Sequence, residues 1–141
     1  MFATSLVYPM FAMVLLTVVV LVTLFRRRMG AVRGGSLTTR YFRIYQGENE
    51  PEPAAKAARH FSNLFEAPVL FYVACLAAMS LHLDGALPVV LAWLYVLARV
   101  CHAAVHLGGN RLRFRIAAYA SSWLVLLALW ISLVAGVALR S

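Results

Sequence analysis

Negative charge is scarce in this sequence: five Asp and Glu stand against thirteen Lys and Arg in 141 residues, and only 13% of the chain is charged. A soluble domain carries about twice that fraction, so the chain is not built to be wetted on all sides. Cysteine is also rare. Cys75 and Cys101 both fall inside apolar runs, where a free thiol is the common state and no disulfide framework can be read, so neither is given a role. No Lys or Arg precedes the first apolar run, whereas Arg26, Arg27 and Arg28 follow it directly. That order is the reverse of a cleavable secretory signal, so the first run is expected to be retained, with its N-terminus outside. Low-complexity tracts and soluble-type repeats are missing too. The apolar runs do not alternate with polar residues and are too long for tilted membrane strands, which excludes a β-barrel.

Hydrophobic residues make up 63% of the chain, and the mean hydropathy is +0.82. Four spans emerge, at about 6–25, 61–83, 87–107 and 116–139, the second with its apolar run from Phe65 to Leu83. Each is near the ~20 residues that carry a helix across a hydrocarbon core. The expectation is an all-α membrane protein, a four-transmembrane-helix bundle in which residues 1–141 form a single domain.

The basic residues orient it. The segment from Arg26 to Arg59 holds eight Lys or Arg, the turn after the third span holds Arg111, Arg113 and Arg115, and the second turn holds none. The positive-inside rule then puts the first and third loops in the cytoplasm and both termini on the outer side of an inner or plasma membrane. The net charge of +8 follows from this asymmetry. Attraction to anionic membrane lipids accounts for it, and nucleic acid is not an expected partner.

The Ala-rich stretch after Pro53, with Glu48, Glu50 and Glu52 ahead of it, favours a helix start. The second helix is expected to run from Pro53 to His82 without a break, about 45 Å at 1.5 Å per residue, with Pro68 loosening or kinking it. Asp84-Gly85 makes a short turn into an antiparallel neighbour, and Gly108-Gly109-Asn110 closes the third helix.

Polar residues inside a membrane bundle are costly and carry the functional information. Arg59, Asn63 and Glu66 are spaced i, i+4, i+7, and Arg99, His102, His106 and Asn110 are spaced i, i+3, i+7, i+11, so each set is expected to share one helical face. Both stripes belong to the cytoplasmic half, where a Glu66–Arg99 ion pair would neutralise the two deepest charges. Polar contacts that merely hold helices together are common. Two Arg, two His and two Asn around one Glu exceed that need, and the surplus suits an anionic, peptide-like ligand. Arg111 and Arg115, at i, i+4 near a helix N-terminus, extend the same chemistry.

These patterns resemble the MAPEG family, the membrane-associated proteins in eicosanoid and glutathione metabolism that include microsomal glutathione transferases. The residues that carry the likeness are Arg59-His60-Phe61-Ser62-Asn63-Leu64-Phe65-Glu66-Ala67-Pro68 at the second of four spans. They continue in Leu97-Ala98-Arg99-Val100-Cys101-His102, then His106, Arg111, Arg115 and Tyr119. The chain is similar to a bacterial-type member, with His106 and Ala67 where eukaryotic members often carry Tyr.

The resemblance implies a homotrimer that binds glutathione as co-substrate near the cytoplasmic face and acts on a lipophilic small-molecule substrate. By position, Arg59, Asn63, Glu66, Arg99 and His102 match glutathione contacts, with His106 beside them. Arg115 matches the arginine proposed to stabilise the thiolate, with Arg111 or Arg113 as the alternative register. Arg28, with Arg26 and Arg27, qualifies as the arginine contributed by the end of the first span. No metal is assigned. Two rival readings remain: a non-catalytic membrane binding or scaffold protein of the same fold, and an electron-transfer protein using His102 and His106 as haem or metal ligands, since i, i+4 histidines can chelate.

Overall fold

The computed structural model describes residues 5–47, 49–109 and 111–140. Glu48 and Asn110, which the sequence placed before the second helix and at the foot of the third-helix stripe, lie outside the described residues. Among the described residues six helices follow in order: α1 (Val7–Arg33), α2 (Tyr41–Ile44), α3 (Glu52–Asn63), α4 (Ala67–Ser80), α5 (Ala86–Leu107) and α6 (Leu112–Ala138). α1, α3 with α4, α5 and α6 are the four membrane spans expected from hydropathy.

α1 continues past the end of its apolar run because nothing before Gly34 stops a helix. Gly35, at a φ of 74°, then takes the left-handed position that closes the helix. Its N–H bonds the Val32 carbonyl, and the Ser36 N–H bonds the Ala31 carbonyl, the paired reverse bonds of a Schellman end. Arg26, Arg27 and Arg28 therefore stand on an intact helix. Beyond it, the short α2 brings Phe42 and Tyr45 under the Arg28 guanidinium, at 5.6 and 5.3 Å.

The second span is broken, which corrects the continuous helix expected there. Pro68 has no N–H to give Leu64, and its ring crowds that carbonyl. α3 therefore ends in tight turns, with Leu64 N–H to Phe61 and Phe65 N–H to Ser62, and α4 restarts at Ala67 with Pro68 in its first turn. Glu66 sits in the gap with non-helical dihedrals. Upstream, Pro53 occupies the first turn of α3, where a missing N–H costs nothing.

Inside the bundle, Phe71 of α4 stacks on Tyr95 of α5 with ring centroids 4.5 Å apart. Ala74, Ala78 and Ala92 are fully buried around them. Small residues let membrane helices approach closely where lipid supplies no hydrophobic drive to associate. Met13 and Val20 of α1 and Leu126, Leu129 and Leu133 of α6 complete the core. The outward faces expose residues such as Val14, Val18, Leu124, Leu127 and Val134, an arrangement suited to hydrocarbon.

α5 and α6 pack along each other most extensively, while α3 leans against both α1 and α5. At one end of the bundle, Arg140 beyond α6 donates to the Leu81 and His82 carbonyls, at 2.7 and 2.8 Å. At the other, Arg27 donates to the Pro53 carbonyl at 2.9 Å and the Leu107 carbonyl at 2.8 Å. The second bond places a cation on the C-terminus of α5, where the helix dipole is negative.

Candidate functional site

The last turns of α3, the last turns of α5 and the first turns of α6 enclose a cavity of about 470 Å³, within the usual range for small-ligand pockets. α3 contributes Arg59, Ser62 and Asn63; α5 contributes His102 and His106; α6 contributes Arg115, Ile116 and Tyr119. Five of the residues singled out from sequence thus meet on one wall: Arg59, Asn63, His102, His106 and Arg115.

Arg99 lies one turn deeper on α5 and is 0% exposed. Its Nη2 donates to the Asn63 carbonyl at 3.1 Å, an acceptor available because α3 ends there. Its Nε and Nη1 have no protein partner. The expected ion pair with Glu66 does not form. Glu66 lies in the break at residues 64–66 and is exposed, near enough to act on Arg99 through space but without a direct ion pair. Among the described residues, the ion pairs are Arg28–Glu50 at 2.6 Å and Glu52–Lys56 within one turn of α3.

Three more of the residues named from sequence stand apart from the cavity. Arg28 is taken by Glu50 and the α2 aromatics. Arg111 and Arg113 are exposed at the start of α6, away from its lining. Arg115 is the arginine of this run that the helical register turns inward.

The sequence reading gave His60 no role. It is 0% exposed and its ring lies 5.2 Å from both His102 and His106, which are 5.6 Å apart. The signal was present: Ala54, Ala57, His60 and Leu64, at helical spacing, form the buried face of α3. His102 Nδ1 lies 3.3 Å from the Arg115 carbonyl oxygen, and Tyr119 packs against the same ring at 5.5 Å.

A wall of cations and hydrogen-bond donors at the end of a membrane bundle can hold an anionic ligand and orient its ionised groups. The MAPEG family model matches residues 6–135, nearly the whole chain. The chain belongs to the MAPEG family, and with four apolar helices it is an integral, multi-pass membrane protein of the kind associated with glutathione or eicosanoid metabolism. No curated protein and no solved structure matches it.

Proposed function

We propose that the chain is a glutathione-dependent membrane transferase or peroxidase acting on lipophilic electrophiles. The observation that carries this is the convergence of Arg59, Asn63, His102, His106 and Arg115 on one cavity in a chain of this family. A thiol is a weak nucleophile until ionised, and a cation close by in a low-dielectric site favours the thiolate. Arg115 is the residue for that role. Arg59 and Asn63 hold the peptide's charged and polar groups, while Arg99 behind them adds positive potential. The functional assembly is a homotrimer, in which Arg28, Glu66, Arg111 and Arg113 can serve a site shared between subunits.

Calorimetric titration of the detergent-solubilised protein tests this reading. Glutathione is expected to bind saturably and its S-methyl analogue more weakly, because the analogue has no thiolate to offer Arg115. Absence of heat from both compounds defeats the proposal.

In this reading the basic first and third loops face the cytoplasm and both termini the outside, which the charge asymmetry of the loops supports. In a variant lacking its own cysteines, Gly85→Cys is expected to react with an impermeant thiol reagent on intact cells, and Ser36→Cys only after lysis. Both positions are exposed, so the reverse pattern inverts the orientation.

A further inference from the structure

His60, His102 and His106 come from two helices, are 0%, 2% and 5% exposed, and bring one ring nitrogen each to within 4.8 Å of the others. His60 Nδ1 and Nε2, His102 Nε2 and His106 Nδ1 have no protein hydrogen-bond partner. Burying four such nitrogens unpaired is costly, and native structures rarely do it without a water, an ion or a function. The cluster is also not a simple packing contact, since apolar side chains of similar volume would fill the same space with no polar cost.

The arrangement around His102 supplies a second, independent observation. Its Nδ1 faces the Arg115 backbone carbonyl at 3.3 Å. A ring that donates from Nδ1 to a carbonyl keeps its Nε2 lone pair for the opposite side, which is how metal-ligating histidines are generally oriented. That nitrogen is buried and has no protein partner.

We infer that His60, His102 and His106 form a three-imidazole site for a divalent transition metal of the zinc and cobalt class, with its fourth coordination position open to the cavity. Imidazole suits these borderline ions, and three His ligands with one open position is a catalytic type of site. Bond lengths of about 2.0–2.1 Å bring ligand nitrogens to roughly 3.3 Å from one another, so the rings close inward from their present separation. His102 and His106 line the cavity, whereas His60 stands behind them, which leaves the open side facing the ligand. With an ion in place, these two histidines meet the cavity's ligand through the ion.

The surrounding charge dictates what fills that position. Arg59 and Arg115 line the same cavity and Arg99 lies beneath it, so a dication is favoured only together with an anion. A thiolate is the donor best matched to it, a step that rests on the glutathione reading. The metal site itself does not.

The test uses the tag-free full chain in detergent, stripped with a chelator and titrated with cobalt(II). One equivalent per chain is expected to develop the intense visible bands of a four- or five-coordinate ion and to be displaced by zinc. His60→Gln and His106→Gln should each weaken cobalt binding about a hundredfold or more, since even outer partners of such ligands are worth about 10–100-fold. His82→Gln, at the other end of the bundle, should not. Glutathione should tighten cobalt binding by about 5- to 150-fold, the usual range of coupling between sites.

A parent protein that leaves cobalt with its pale aqueous spectrum overturns the site whether or not the variants fold, as does a His60→Gln protein that binds like the parent. Competition between glutathione and cobalt overturns the open position. A protein that binds cobalt but not glutathione retains the metal site and loses only the glutathione reading.

Discussion

Arg115→Ala is expected to lower the rate of glutathione conjugation about a hundredfold, the loss typical when one group stabilising developing or fixed negative charge is removed from a water-poor site. Glutathione affinity should change only modestly, because the remaining wall of the cavity is untouched. His102 faces the Arg115 backbone oxygen, not its side chain, so alanine keeps that contact. Thiolate absorbance near neutral pH should fall with the rate. Arg59→Ala, by contrast, removes a peptide-orienting contact and should mainly raise the KM for glutathione. Full rate and full thiolate in Arg115→Ala, with both lost in Arg111→Ala or Arg113→Ala, shifts the catalytic role along the third loop. A parent with no thiolate and no turnover on any electrophile leaves a non-catalytic binding protein.

Arg99→Met is expected to weaken glutathione binding and at the same time to raise the thermal stability of the empty protein. Had Arg99 paired with Glu66, its removal would strand a charge and destabilise the bundle. The guanidinium instead lies fully buried with one hydrogen bond, to the Asn63 carbonyl. Replacing even well-paired buried ions by apolar side chains commonly stabilises by about 1–4 kcal/mol, and Arg99 makes no direct ion pair that its loss would break. Met retains the length of the side chain and fills the space. A melting temperature below that of the parent, in detergent without ligand, contradicts this account, as does unchanged glutathione affinity. The cost of keeping Arg99 is then a cost of function, of the kind stability–activity trade-offs describe.

How much of this was legible beforehand depended on continuity of the chain. Of the α5 stripe, Arg99, His102 and His106 do share a buried face, because α5 runs unbroken through 22 residues. The second-span stripe was read on a helix that does not continue. Pro68 pointed to a disturbance, but a proline marks where a helix is stressed and not how many residues leave it, and three did. That left Glu66 in the gap between two helices, with no direct ion pair to Arg99. Hydropathy located all four spans yet stopped α1 at Phe25, since an apolar run reports where hydrocarbon ends while the helix ends at Gly34 and Gly35. His60 escaped because a histidine next to an arginine looks like part of a polar boundary. Only knowledge of which side of α3 meets α5 turns it inward. The role of Arg28 was equally hidden, because Glu50 reaches it from 22 residues away.

The Arg140 clasp has a mechanical consequence. By gripping the carbonyls of Leu81 and His82, it ties the end of α6 to the turn between α4 and α5, so three helices are knotted together at the end remote from the cavity. At the near end, the second span is jointed at residues 64–66. Arg27 makes a matching clasp there, holding the start of α3 and the end of α5 to α1, so the bundle is tied at both ends and the joint lies between the two ties.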